Sequence, residues 1–87
     1  MLDTLPQVTT SKVRELQFAI EWNSCRYSEA SMASKQAWEM YNTAIDKNAP
    51  KEEVNDLFTI AKMFENLKHV AWHAWQDAKR DYLALMN

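Results

Sequence analysis

The sequence of 87 residues contains no glycine. Phosphate-cradling loops, dinucleotide-binding fingerprints and nucleophile elbows all need backbone turns that glycine adopts at little cost. The absence of glycine therefore argues against most of the familiar enzyme classes.

Cysteine and long apolar runs are also scarce. The single cysteine, Cys25, excludes an internal disulfide, and a cytoplasmic setting is the simplest interpretation. No run approaches the roughly 18 apolar residues that a membrane span requires. The N-terminus has neither the basic start nor the apolar core of a secretory signal. We therefore expect a soluble cytoplasmic protein without contact to a membrane.

The charge pattern is nearly balanced. The formal net charge is −2, and the basic residues alternate with acids along the chain instead of gathering in one place. This distribution argues against a general nucleic-acid binder, which needs a basic patch. A nucleic-acid-binding helical protein remains an alternative, because tryptophans near lysines can stack on bases.

The two prolines divide the chain into two helical segments. Between Ser11 and Asn48 nothing breaks a helix, so the first helix is predicted over about 11–47 and residues 1–10 form a flexible tail. NAPKEEV provides a short connection, in which Pro50 suits the first turn of a second helix over about 50–86. The sequence thus predicts one all-α domain, residues 1–87.

Each segment carries a coiled-coil-like seam of apolar residues at alternating spacings of three and four. The first seam comprises Val13, Leu16, Ile20, Tyr27, Ala30, Ala37, Tyr41 and Ala44, and the second comprises Val54, Leu57, Ala61, Phe64, Ala71, Trp75, Ala78, Tyr82 and Leu85. The two seams should meet in an antiparallel hairpin. Its register places Trp38 beside Phe58, as an aromatic contact, and Lys68 beside Glu29, as an ion pair.

A three-helix bundle is the alternative fold. Four serines crowd into residues 23–34, and serine can cap a new helix instead of continuing an old one. The uninterrupted hairpin is favoured, because no proline or glycine forces a stop there and the seam keeps its phase.

Beside the seam, one side of the predicted hairpin is apolar along much of its length. This apolar flank comprises Ala19, Trp22, Ala33 and Met40 in the first helix and Ile60, Met63, Leu67, Val70 and Ala74 in the second. An apolar patch of that size exceeds what soluble monomers usually expose, so a partner should cover it. We predict that all its members except Ala19 form an interface with a protein partner or with a second copy.

The stretch HVAWHAW raises the question of a metal site. Glu65, His69, His73 and Asp77 follow one another at intervals of four residues, a spacing that can hold a divalent ion. HVAWH lacks the glutamate of the HExxH motif, however, and no further ligand is fixed by the sequence. We therefore predict neither a metal nor a cofactor, with both histidines on a solvated polar side.

The predicted function is binding and not catalysis. Long helices without loops offer little room for a pocket that combines a base, an orienting group and an oxyanion donor. We expect no catalytic residues, and a regulator, adaptor or inhibitor that acts on a larger protein. A homodimeric structural bundle is the alternative.

Overall fold

Two long helices make up the fold. The computed structural model describes the backbone of residues 4–86 and the side chains of residues 10–86. Helix α1 spans Thr4–Asp46 and helix α2 spans Lys51–Met86. They pack against each other along a rod 70 Å long and 16 by 14 Å across. The all-α hairpin predicted from the two seams is confirmed.

Helix α1 is longer than predicted and has no break. It begins at Thr4 and not near residue 11, so residues 4–10 of the predicted tail are helical, while residues 1–3 lie outside the described part. The early start is possible because Pro6 falls in the first turn, where its missing N–H breaks no helical hydrogen bond. The helix also continues through residues 23–34, which rules out the three-helix alternative.

The turn closes α1 without glycine. Asn48 adopts the left-handed conformation with φ of 56°. The N–H of Asn48 donates to the carbonyl of Ile45 at 3.1 Å, and that of Ala49 donates to Ala44 at 2.9 Å, the bonding pattern of a Schellman motif. Asparagine fits this position because its short polar side chain tolerates left-handed backbone. Pro50 then accepts from the N–H of Val54 at 3.1 Å as α2 begins.

The buried positions of the seam between the helices hold mainly small side chains. Its buried residues are Leu16, Ser34, Ala37, Ala44, Ala61, Ala71 and Ala78. Within the described residues no large side chain is fully buried. Small side chains let the helices approach closely, yet each contributes little burial of apolar surface. The hairpin therefore has a thin core.

One of the two predicted register contacts forms. The rings of Trp38 and Phe58 lie 5.7 Å apart in an edge-to-face arrangement, which confirms the first contact. The predicted ion pair of Lys68 with Glu29 is wrong, since no ion pair joins them within the described chain. They line grooves on opposite sides of the hairpin, with Glu29 on the apolar flank and Lys68 on the far side.

Candidate functional site

The apolar flank is open to solvent. Its six large side chains are exposed, from 43% for Ile60 to 67% for Val70; the other four are Trp22, Met40, Met63 and Leu67. The alanines at 19, 33 and 74 are half-buried between them. The helix pairing places the first and second halves of the set on one long side, because they stand at corresponding positions beside two antiparallel seams.

Among the residues that the structure describes, two grooves follow the flank. The turn groove, of about 860 Å³, is lined by Met40, Leu57 and Pro50 and also by Lys47 and Glu53. Both helices contribute to the turn groove. A partner that binds the flank would therefore contact a concave surface as well as exposed side chains.

The second depression, the middle groove, has a volume of about 240 Å³. Ala33 and Leu67 line it together with Phe64 and Ala71. Ala33 and Leu67 therefore stand at the same height on the rod, which fixes how the two halves of the flank are aligned.

An aromatic contact extends the flank around α1. Phe18 is 65% exposed, and its ring stacks on Trp22 with centroids 6.2 Å apart and planes 13° from parallel. The Arg26 guanidinium lies 5.8 Å from the centre of the Trp22 ring. Sequence reasoning missed Phe18, although its spacing of four residues from Trp22 is the signal that indicates it.

The opposite side of the hairpin carries an aromatic cluster, formed by Trp38, Tyr41 and Phe58. Its ring centroids lie 5.4 to 5.7 Å apart. The indole N–H of Trp38 donates to the Glu65 carboxylate at 3.2 Å, and Lys62 stands 3.7 Å from the same carboxylate. The Trp38 indole and the Lys62 ammonium thus both find a partner in Glu65.

The HVAWHAW stretch presents its histidines to solvent. His69 and His73 are both exposed, as the polar side predicts. Glu65 and Asp77 are the first and last of the four candidate ligands. Glu65 contacts Trp38, and the Asp77 carboxylate lies 3.4 Å from Arg80, so both acids already contact other side chains. Among the residues described, no cluster of three or more His, Cys, Asp or Glu side chains converges on a point where an ion would sit.

Trp75 lies in the seam, as predicted, in contact with both helices. Its ring is 5.7 Å from that of Tyr27, and the Lys79 ammonium stands 4.3 Å above its centroid. Its indole N–H is buried without a hydrogen-bond partner. The cation above the ring offsets part of that cost through its attraction to the π face.

Comparison with protein-family models, with curated proteins and with solved structures finds no match for this chain. In the described part of the chain, neither helix is apolar enough over a sufficient length to cross a membrane.

Proposed function

We propose that this protein is a non-catalytic regulator, adaptor or inhibitor that binds a larger protein through its apolar flank. One observation carries the proposal: six large apolar side chains are exposed on one long side of a hairpin whose buried residues are mostly alanine. The free energy of these apolar side chains is lower when they pack against a partner than when they are exposed to water.

The energetics support a binding role. Burying a large apolar side chain contributes about 1.5–3 kcal/mol, and these six are already about half buried. Covering them fully adds roughly 5–10 kcal/mol, comparable with the net stability of a small domain. The side chains also suit an interface, because tryptophan and methionine are enriched in the buried centres of protein contacts.

The composition of the grooves supports binding over catalysis. Neither groove on the flank is lined by a histidine, cysteine or serine, the usual nucleophiles and bases of hydrolytic sites. The exposed Trp22 has one neighbouring cation, Arg26, whereas a single-strand binder combines stacking rings with a basic groove. We therefore rank nucleic acid below protein as the partner.

The test is affinity capture from the native cell with matched variants. Leu67→Lys places a charge in the middle of the flank and Trp22→Asp places one at its end, and a covered charge costs several kcal/mol. We expect both variants to stay helical by circular dichroism and to lose the proteins that the wild type retains, as identified by mass spectrometry.

The matched control is Leu83→Lys. Leu83 is 60% exposed and lies outside the flank, so the same substitution should leave capture unchanged. If Leu67→Lys and Trp22→Asp retain the same proteins as the wild type, the apolar flank is not the binding surface.

A further inference from the structure

The chain exposes more surface than a compact protein of its mass. Its accessible area is 6857 Å², whereas a compact monomer of 10.2 kDa exposes about 5,300 Å². The excess of about 1,500 Å² comes from the rod shape. A standard interface removes about 800 Å² from each partner, so the rod can lose one long side and still expose a normal surface.

The flank and the turn groove together reach the lower limit of a specific interface. From Trp22 to Met40 the flank runs about 27 Å along α1, at 1.5 Å per residue, and the turn groove extends this surface to Lys47, about 38 Å in all. The hairpin is 16 Å across. The product is about 600 Å² per copy, at the lower end of the roughly 1,200–2,000 Å² that specific interfaces bury in total.

The charges beside the flank differ between the two helices. On α2 all the charged positions beside it are acidic: Glu53, Asp56, Asp77 and Asp81. On α1 they are Lys12, Glu15, Arg26, Glu29 and Lys47. Lys12 and Glu15 lie 3.6 Å apart and pair with each other, which leaves Arg26 and Lys47 as the bases available to a second chain.

We propose that a second copy of this chain covers the apolar flank, with both turns at the same end and α1 of each copy packed antiparallel on α2 of the other. The inference rests on the proposed function, because it takes the same flank as the binding surface. The product is a four-helix bundle in which neighbouring helices are antiparallel.

In this arrangement, residues at the same height along the rod face each other across the two copies. A two-fold axis along the rod keeps heights unchanged, so Ala33 meets Leu67 of the second copy, as the shared middle groove indicates. Lys47 and Glu53 line the same turn groove, so Lys47 of one copy meets Glu53 of the other. Apolar residues thus face apolar residues, and opposite charges meet at the turn end.

The opposite arrangement, with the turns at opposite ends, is unfavourable. It packs α2 on α2 and brings Glu53 and Asp56 of one copy to Asp77 and Asp81 of the other. Arg80 contacts both of the latter acids, at 3.4 and 3.5 Å, and only partly neutralises them. The remaining like charges repel each other. Such repulsion destabilises a wrong arrangement by more free energy than surface ion pairs contribute to the correct one.

Self-association would regulate the proposed function. A larger partner that uses the flank must displace the second copy, so the dimer masks its own binding surface. Because the free monomer then grows only as about the square root of the total concentration, capture of that partner rises less steeply with the concentration of this chain than it would without dimerisation.

The first test is sedimentation equilibrium over a micromolar to millimolar concentration series. We expect a wild-type dimer, and for Leu67→Lys a dissociation constant at least about 100-fold higher, because two leucines lose their burial per dimer. Leu83→Lys should dimerise like the wild type. A monomeric wild type throughout, or a Leu67→Lys protein that dimerises normally, overturns the inference.

The second test addresses orientation and does not disturb the apolar centre. Lys47→Glu alone and Glu53→Lys alone each place like charges at the turn end, and each should weaken the dimer by about 3- to 10-fold. An equimolar mixture of the two proteins restores opposite charges, so the mixed dimer should regain wild-type affinity. A mixture no tighter than the separate proteins overturns the proposed arrangement.

The outcomes separate this inference from the proposed function. A monomeric wild type that captures partners in a flank-dependent manner overturns self-association and leaves the proposed function standing. A dimer that Leu67→Lys disrupts, combined with capture that no flank variant alters, supports self-association and overturns binding of a larger protein.

Discussion

The two long sides of the hairpin both carry large apolar side chains, but they differ in what those side chains contact. On the aromatic side, Trp38, Tyr41 and Phe58 contact one another across the two helices, and Glu65 accepts the indole N–H. On the apolar flank, the ring contact of Trp22 is with Phe18 of its own helix.

This difference indicates separate roles for the two sides. Contacts that cross from α1 to α2 stabilise the hairpin, whereas side chains exposed beside the seam stabilise it little until something covers them. The cross-helix contacts of the aromatic cluster therefore support the fold, whereas the exposed apolar flank contributes little to it and is the surface that we propose for association.

The largest expected effect is a difference in unfolding free energy between substitutions of Trp38 and of Trp22. In a Leu67→Lys background, which is expected to be monomeric, Trp38→Ala should lower the free energy of unfolding by about 2–3 kcal/mol, because it removes a half-buried ring from the cluster. Trp22→Ala in the same background should cost less than about 1 kcal/mol. Urea denaturation followed by circular dichroism measures both, and equal losses would contradict the separate roles of the two sides.

The next effect concerns protein concentration. If the flank is covered by a second copy, the stability of the wild type rises by about 1.4 kcal/mol per dimer for each tenfold increase in concentration. Its thermal midpoint should rise accordingly, while that of Leu67→Lys stays constant. A variant on the other side, Phe58→Ala, should lower the midpoint and retain the concentration dependence.

A smaller effect isolates the hydrogen bond of the aromatic side. Trp38→Phe keeps a ring in the cluster but removes the donor to Glu65, and should cost about 1 kcal/mol of unfolding free energy. Trp22→Phe is the matched change on the flank. The residues described show no hydrogen bond from the Trp22 indole. Trp22→Phe should therefore lower the free energy of unfolding by only a few tenths of the loss expected for Trp38→Phe. The comparison fails if the two substitutions are equivalent.

The smallest effect concerns the ion pair beside the cluster. Lys62→Met removes the cation 3.7 Å from Glu65 and should cost about 0.3 kcal/mol, because the pair is partly exposed. High salt should abolish the difference between the variant and the wild type. Lys12→Met removes a similar pair with Glu15 and provides the control far from the cluster. A loss above about 1 kcal/mol for Lys62→Met would mean that Lys62 also supports the ring packing.

The periodic features of the chain predict the fold well. Alternating spacings of three and four place both seams, and Pro50 places the turn, because these patterns depend only on helix geometry. The same geometry predicts which large side chains of the flank stand beside the seam, and the contact of Trp38 with Phe58.

Features that depend on side-chain rotamers, or on where a helix begins, are not predicted by such patterns. The sequence places Glu29 and Lys68 at equal heights, yet height does not determine which side of the seam a long side chain follows. Likewise, no spacing rule shows that the Trp38 indole reaches Glu65. The start of α1 at Thr4 depends on how well a first turn tolerates Pro6, which composition alone does not decide.

The turn at Lys47–Pro50 also determines which contacts stay within one molecule. A hairpin whose turn opened into a continuous helix would make its seam contacts with another chain, which is domain swapping. Pro50 opposes this, because its ring would clash with the carbonyl of Asp46 in a continuous helix at a cost of about 3 kcal/mol. The left-handed Asn48 reinforces the bend. Seam pairing is thereby kept within the chain, and a contact with another chain would have to use an outer surface such as the exposed apolar flank.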